Sequence, residues 1–346
     1  MARLRRLGNA VTGGDSGGSN DSYNPSMIIR HLVATSCAVL VALGTIAAQA
    51  PRAGATPAST PRTPWGHPDL QGRWTNATLT PLERPAEVGV KEFFTEAEAA
   101  EYQKIALDVY LRQIGLAADN VISREFEDGV WMDDVTIVPT RRTSLIVGPT
   151  GRLPPMTLEA QQRAKARAGP RRADGPEDRT LPERCLWYGA AGPPMIPFVY
   201  NSNHEIVQTP THVAILSEQG NVLRTILLDG RPHLTDALRQ WQGDSRGRWE
   251  GDTLVVETTN FTNKRDVRGS TDRLRVVERF RRPDRDTVLY EFTAEDPTTW
   301  TSSWTSEVPM RKMDALLYEN ACHEGNYSLG NILRGARFVE SLPTPH

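Results

Sequence analysis

The sequence predicts a mainly β protein, in which an antiparallel sheet closes into a barrel or folds into a sandwich, with a helical N-terminal extension. From about His204 onward, short runs of alternating apolar and polar residues are separated by turn residues, a pattern typical of antiparallel strands. Ahead of them, Phe94–Leu116 has the most regular helical periodicity in the chain. The composition, 38% hydrophobic and 24% charged, is that of a globular protein.

The first fifty residues have the character of an upstream extension and a secretory signal peptide. Met27-Ile-Ile-Arg30 supplies a charged start, Leu32–Ile46 a short apolar run, and small residues follow. We expect translation to start at Met27 and cleavage to fall between Ala50 and Ala55. The alternative is a membrane anchor, but the apolar run is short for spanning a bilayer. The sequence therefore predicts a periplasmic or secreted protein.

Charge and motif content exclude several classes of partner. Without residues 1–50 the chain carries 36 basic and 40 acidic residues, and it has no basic stripe interleaved with aromatic residues, so we expect no nucleic-acid partner. No second apolar run is long enough for a stable membrane span after signal removal. The sequence lacks histidines at metal-ligand spacing, a phosphate-binding Gly-rich loop and a G-x-S-x-G motif. We therefore expect no metal site and no cofactor.

Two cysteines, Cys185 and Cys322, remain outside the signal peptide. In an oxidising compartment they most simply form one disulfide. Such a bridge would close a long loop and stabilise the protein by about 2–5 kcal/mol. The alternative is a reactive thiol in the run Cys322-His323-Glu324.

The chain is predicted to have three parts after the signal peptide. Residues 51–65 form an Ala/Pro linker, residues 66–130 a helical N-terminal segment, and residues 131–346 the antiparallel β domain. In the helical segment, Thr95 followed by Glu98 three residues later is a capping box that would begin the helix.

Within the β domain, one weak helix is predicted over Leu158–Ala168, followed by strands. The predicted strands are 204–208, 212–217, 222–228, 253–260, 274–282, 286–294 and 303–310. Gln219-Gly220-Asn221 and Glu250-Gly251-Asp252 are predicted hairpin turns, because glycine readily adopts the positive φ that such turns need. The stretch Gly247–Thr259 is therefore a strand, a tight turn and a second strand.

The hairpin on either side of residues 281–287 points to a site residue. Pairing Phe280 with Val288 gives one apolar and one polar face, whereas a one-residue slip would mix the two. This register places Glu278 on the apolar face, opposite Tyr290, where a carboxylate must be paired, protonated or lining a cavity. We predict that Glu278 acts in acid–base chemistry or binds a ligand hydroxyl, with Tyr290 beside it. The alternative is a structural ion pair with an inward arginine such as Arg224.

A second candidate group follows the strand that ends near residue 228. Asp229, Arg231 and His233 lie at a strand end, where binding sites usually lie, and Asp244 and Arg246 in the next loop could join them. We predict Asp229 and His233 as catalytic candidates and Arg231 as a ligand contact. The alternative is a simple turn, with Asp229 bonded to its own backbone and Arg231 solvated.

Three further residues complete the set of candidates. His323, next to the predicted disulfide, is an acid–base candidate of the same rank as His233. Trp300 and Trp304, four residues apart, would line a pocket for a flat apolar ligand or would close one end of a barrel.

Two copies of a short motif resemble a known class of barrels. Gly72-Arg73-Trp74 and Gly247-Arg248-Trp249 match the G-x-W signature of lipocalin-like (calycin) barrels, in which the tryptophan closes one end. Residues 65–340 resemble a broad group of exported bacterial proteins of unassigned activity. The stretches that carry this resemblance are LDGRPH, GDSRGRWEGDTLVVETTNF, DPTTW and CHEGNY. The resemblance implies export and a β-rich fold, and it implies no particular reaction.

Three functions fit these observations. The first is an exported protein that binds a small apolar or aromatic molecule in a pocket. The second is an acid–base enzyme (hydrolase, lyase or isomerase) acting on such a molecule, and the third is a structural or interaction module of the envelope. The enzyme requires at least two of four residues to meet within hydrogen-bond reach. These four are Asp229, His233, Glu278 and His323.

Overall fold

The structure, a computed structural model, describes residues 60–113, 135–169 and 172–342, so the expected signal peptide and most of the linker lie outside it. In these ranges nine strands form one closed barrel in sequence order. The strands are β1 (Gly72–Thr75), β2 (Asn203–Gln208), β3 (His212–Ser217), β4 (Val222–Leu227), β5 (Asp244–Glu250), β6 (Thr253–Thr259), β7 (Arg275–Arg281), β8 (Thr287–Glu295) and β9 (Trp304–Lys312). The α-helices are α1 (Glu96–Gln113), α2 (Leu158–Arg167) and α3 (Tyr327–Ser341).

The strand pairing closes the sheet completely. Neighbouring strands are antiparallel except β4 and β5, which share one parallel pair between Leu227 and Arg246. Pairing of β1 with β9 completes the ring, so no strand edge is left unpaired at that seam. The predicted mainly β fold is therefore confirmed as a barrel rather than a sandwich, and it is consistent with a lipocalin-like barrel.

Strand β1 lies in a part of the chain for which the sequence predicted a helical segment. Trp74 is fully buried, and its indole Nε1 donates a hydrogen bond to the Leu70 carbonyl at 3.0 Å. Because Gly72–Thr75 pairs with both β2 and β9, this segment belongs to the barrel. Four residues are too few for strand alternation to show in the sequence, so β1 was not among the predicted strands.

The register of the β7–β8 hairpin differs from the predicted one by two residues. Phe280 pairs with Tyr290, and Glu278 pairs with Phe292. A slip of two keeps every side chain on its predicted face, so Glu278 still points inward. The loop is longer than predicted because Arg282 turns back and donates hydrogen bonds to backbone carbonyls, including that of Arg285 at 2.7 Å.

The two tight turns predicted at Gly220 and Gly251 are present. Gly220 has φ 76° between β3 and β4, and Gly251 has φ 58° between β5 and β6. Both glycines adopt the left-handed region that other residues resist. The opening strand of the Gly247–Thr259 stretch is longer than predicted, since β5 begins at Asp244.

The helices of the described ranges pack outside the barrel interior. The predicted capping box begins α1: the Glu98 carboxylate accepts from the Thr95 N–H at 2.8 Å, and the Thr95 hydroxyl accepts from the Glu98 N–H at 3.3 Å. Helix α1 buries Ala99, Tyr102 and Ala106 in a small core of its own. Helix α2 was predicted and α3 was not, and α3 buries none of its residues.

The predicted disulfide between Cys185 and Cys322 is present. It joins the chain ahead of β2 to the segment that follows β9. Nearby, Asn326 caps α3 and donates to the Glu183 carbonyl at 2.8 Å. Across the ranges that the structure describes, we find no helix with the length and apolarity needed to span a bilayer.

Candidate functional site

An ion pair crosses the barrel interior. Glu278 on β7 is fully buried, and Arg224 on β4 is 5% exposed. Arg224 Nη1 donates to both carboxylate oxygens, at 3.1 and 2.9 Å. Strands β4 and β7 are not neighbours in the barrel, so the two side chains meet across its interior. This geometry is the ion pair that the sequence offered as the alternative for Glu278.

Tyr290 connects this ion pair to the segment that precedes β2. Its hydroxyl donates to Glu278 Oε1 at 2.8 Å and accepts from the Met195 N–H at 2.9 Å. Burial raises the pKa of Tyr290 well above its usual value, and the neighbouring Glu278 carboxylate raises it further. The phenol is therefore neutral, and it serves as a fixed hydrogen-bond donor to the carboxylate.

His204 on β2 is a further interior residue. It is fully buried, and its Nδ1 lies 2.9 Å from Ser217 Oγ. Burial lowers the pKa of His204 to about 3, helped by the positive charge of Arg224, so the ring is neutral. Sequence reasoning did not select this residue. The alternation along β2 could have predicted its buried position, because His204 lies on the same face of the strand as the apolar Ile206 and on the opposite face from Glu205.

A second interior arginine comes from the loop between β6 and β7. Arg265 is 4% exposed and donates to the carbonyls of Trp241 and Pro193, both at 2.7 Å. Its guanidinium also lies 4.0 Å from the ring centre of Trp187. Burial, opposed by the charge of Asp266 and aided by that of Arg224, lowers the pKa of Arg265 to about 9. The side chain is nevertheless a cation at neutral pH.

We call these five side chains, Arg224, Glu278, Tyr290, His204 and Arg265, the interior cluster. Three of their buried nitrogen atoms have no protein hydrogen-bond partner. They are Arg224 Nη2, Arg265 Nε and His204 Nε2. Buried polar atoms usually have a partner, so each of these three nitrogens is available to bind a further group.

A short segment, residues 190–195, packs against this cluster, and we call it the cover segment. All six of its residues are buried. The Ser217 hydroxyl lies 3.3 Å from the Ala191 carbonyl, Arg265 donates to Pro193, and Met195 donates to Tyr290. The two peptide bonds that precede Pro193 and Pro194 are cis. The backbone of the cover segment therefore borders the interior cluster directly.

Trp300 and Trp304 lie in the main core of the barrel. They are 2% and 4% exposed, and their rings pack edge to face with centroids 5.6 Å apart. Phe292 packs edge to face on Trp304 at 5.3 Å. The indole nitrogens of both tryptophans are buried without a protein partner.

The loop candidates assemble into a separate, half-exposed cluster. His233 Nδ1 bonds to Asp244 Oδ2 at 2.8 Å, and its Nε2 lies 3.6 Å from Glu257 Oε1. The other Asp244 oxygen pairs with Arg246 at 2.9 Å. Asp244 and Arg246 therefore join His233, as the sequence suggested. We call this group the His233 cluster.

The remaining candidates, Asp229 and His323, make no hydrogen bond to either cluster in the described part of the chain, although Asp229 lies close enough to Arg246 of the His233 cluster to interact with its charge. Asp229 pairs with Arg231 at 2.7 Å and accepts from its backbone N–H at 3.2 Å, which is the local turn described as the alternative. His323 is exposed on the surface beside the disulfide. Among the residues that the structure describes, no hydrogen bond joins any two of Asp229, His233, Glu278 and His323. The condition set for an enzyme built from these four is therefore not met by direct contact.

The described part of the chain contains no group of three or more His, Cys, Asp or Glu side chains arranged to hold a metal ion. Comparison with protein-family models, with curated proteins and with solved structures gave no match. The functional argument therefore rests on the geometry of the interior cluster and of the His233 cluster.

Proposed function

We propose that this protein is an exported binding protein that takes a small apolar or aromatic molecule into its barrel. The observation that carries the proposal is the interior cluster, with its buried ion pair and its three unpartnered nitrogens. Replacing a buried ion pair by apolar residues is often neutral or stabilising, so stability alone does not account for Arg224 and Glu278. Each unpartnered buried donor costs about 1–3 kcal/mol, which a bound ligand would offset.

The surroundings of the cluster suit an apolar or aromatic ligand. Tyr290 lies between Phe280 and Phe292, with ring centroids 5.0 and 5.7 Å apart, and Phe292 leads on to Trp304. Barrels of about eight strands have interiors just wide enough for side chains or for one small ligand. A ligand with an apolar body and one polar group matches aromatic walls around a charged centre.

Export is supported by the disulfide between Cys185 and Cys322, because such bonds persist mainly in oxidising compartments. The signal peptide expected around Leu32–Ile46 adds independent support from the sequence. The periplasm or the extracellular medium is therefore the proposed location.

The first experiment is thermal denaturation of the purified mature protein with a library of aromatic and terpenoid-like molecules, with and without EDTA. A true ligand should raise Tm with a concentration dependence that follows its Kd. It should lose this effect in the variant Arg224→Met/Glu278→Leu, which lacks the buried ion pair. If no molecule shifts Tm, the binding function is wrong and the structural module is favoured. A shift caused by EDTA alone would instead point to a bound metal.

A second candidate function is acid–base catalysis, and the His233 cluster favours it. Asp244 fixes the orientation of the His233 ring, as a carboxylate does for a catalytic imidazole. The test is turnover of any molecule identified by the library, in wild type and in His233→Asn. Equal turnover in the two proteins would show that His233 takes no part in the reaction. The matched control is Asp229→Asn in the same loop.

A further inference from the structure

Two of the three unpartnered atoms of the interior cluster are hydrogen-bond donors. A guanidinium group has N–H donors and no acceptor, which settles the character of Arg224 Nη2 and Arg265 Nε. The Ser217 hydroxyl donates to the Ala191 carbonyl at 3.3 Å, so Ser217 Oγ accepts from the Nδ1–H of His204 at 2.9 Å. In the neutral ring of His204, Nε2 is then an acceptor. The other acceptors of the cluster, on Glu278 and Tyr290, already have partners.

The buried charges of the cluster sum to a net positive charge, which also favours an anionic ligand. Arg224 and Arg265 contribute two positive charges, and Glu278 contributes one negative charge. All three side chains are at least nine-tenths buried, so water screens them little. These three side chains carry a net positive charge of one, and the partly exposed carboxylate of Asp266 acts on Arg265 from outside the cluster. An uncompensated buried charge is costly, and a monoanion brought in by a ligand would neutralise it.

We propose that the interior cluster binds the carboxylate of the ligand, with Arg224 Nη2 as the donor. This inference rests on the proposed binding function and names the head group of the molecule. Arg224 would then bridge two carboxylates, that of Glu278 through Nη1 and that of the ligand through Nη2. A single negative charge brings the sum of the cluster to zero, which favours a carboxylate over a dianionic phosphate.

The test uses pairs of probes that differ only in charge: formate with formamide, and benzoate with benzamide. Binding is measured by calorimetry and by Tm at constant ionic strength. We expect each carboxylate to bind at least about tenfold more tightly than its amide. Equal binding of benzoate and benzamide would overturn the carboxylate site and leave the proposed binding function intact. Binding of none of the four probes would also overturn it, and the ligand library would then decide the broader proposal on its own.

Two variants separate recognition from folding. Glu278→Gln keeps an acceptor for Tyr290 but removes the carboxylate that repels an incoming anion, so benzoate should bind about tenfold more tightly while benzamide is unchanged. Arg224→Met/Glu278→Leu removes the donor and its partner together and should reduce benzoate affinity at least about tenfold, again without effect on benzamide. A purely structural cluster would give no such opposite responses. If Glu278→Gln fails to fold, the double variant carries the test.

Inorganic phosphate serves as the competing anion under the same conditions. It should bind more weakly than formate, because its second charge overcompensates the cluster. Tighter binding of phosphate than of formate would overturn the assignment to a carboxylate.

Discussion

Arg224 and Glu278 depend on each other, because neither charge has access to water that could replace its partner. Arg224 Nη1 donates to both carboxylate oxygens of Glu278, and Tyr290 also donates to Glu278. The cost of desolvating the two charges is therefore recovered only when both are present. This mutual dependence has a measurable consequence.

We predict strongly non-additive effects on the free energy of unfolding. Arg224→Met alone and Glu278→Leu alone should each lower it by about 3–5 kcal/mol, since each leaves one buried charge unpaired. The double variant should lie within about 2 kcal/mol of the wild type or above it. Urea unfolding of the four proteins measures the coupling. Additive losses would show that the pair is not buried as described.

His204 predicts how stability depends on pH. Its pKa falls from 6.5 in the unfolded chain to about 3 in the folded protein, so the unfolded state binds the proton first as pH falls. The free energy of unfolding should therefore decrease by up to about 1.4 kcal/mol per pH unit from roughly pH 6.5 down toward pH 3. Above pH 6.5 this contribution is constant.

The measurement is urea unfolding at several pH values between 4 and 7, in wild type and in His204→Phe. Near pH 5 the free energy of unfolding of the variant should depend less steeply on pH, by about the 1.4 kcal/mol per pH unit that uptake of one proton gives. His212→Phe is the matched control, since His212 is exposed at the start of β3 and should leave the slope unchanged. A slope identical in wild type and His204→Phe would contradict a buried neutral histidine.

At the scale of elements, the cover segment is shaped by Gly192. This residue has φ 65°, and a Cβ placed there would lie 2.5 Å from Met195 Cγ and 3.0 Å from the Met195 N. Left-handed backbone is costly for other residues, and the close backbone atom leaves little room to relax. Met195 is also the residue whose N–H binds Tyr290. Its displacement would therefore reach the interior cluster.

We predict that Gly192→Ala lowers the free energy of unfolding by about 1–3 kcal/mol, through backbone strain and the contact with Met195. Gly189→Ala is the control, because a Cβ at Gly189 meets no atom within 4 Å. Hydrogen exchange should show faster opening at Met195 in the first variant and no change in the second. Equal behaviour of the two variants would contradict the tight packing of the cover segment.

The elements differ in how far the sequence could predict them. Strands and turns from β2 onward carry alternation and glycine signals, and both tight turns were found at the expected residues. The two-residue error in the β7–β8 register arose because Arg282 lengthens the loop through backbone contacts, which periodicity does not encode. Helix α3 was missed although Leu329, Ile332 and Leu333 recur at helical spacing, and Gly330 and Gly335 within it disfavour a helix.

At the scale of the whole molecule, the sequence could predict which face of a strand a residue lies on, but not which residues from distant segments come into contact. The alternation of inward and outward residues along the strand predicted that Glu278 points into the barrel, and it allowed an arginine as its partner. It could not bring Arg265 from a loop, or Met195 from the cover segment, to the same place. Those contacts depend on how loops fold over the barrel, and single-sequence patterns carry little information on that. The carboxylate site therefore emerges only from the assembled structure.

The disulfide acts on the whole molecule, because Cys185 and Cys322 are 137 positions apart and strands β2 to β9 lie between them. Closing so long a loop restricts the unfolded chain, and we expect removal of the bond to cost about 2–5 kcal/mol. The bond also fixes α3, which buries no residue of its own. Loss of the bond should therefore expose α3 to protease before the barrel unfolds.

Urea unfolding and limited trypsin digestion test this with and without a reducing agent. Reduction should lower the unfolding midpoint and allow early cleavage at Arg334 or Arg337 in α3. The variant Cys185→Ala/Cys322→Ala should match the reduced wild type and show no response to the reducing agent. Because β1 to β9 close through their own backbone pairing, the reduced protein should keep the far-ultraviolet circular dichroism of the barrel at low urea. Loss of the strand signal on reduction alone would mean that the bond, and not the closed barrel, carries most of the stability.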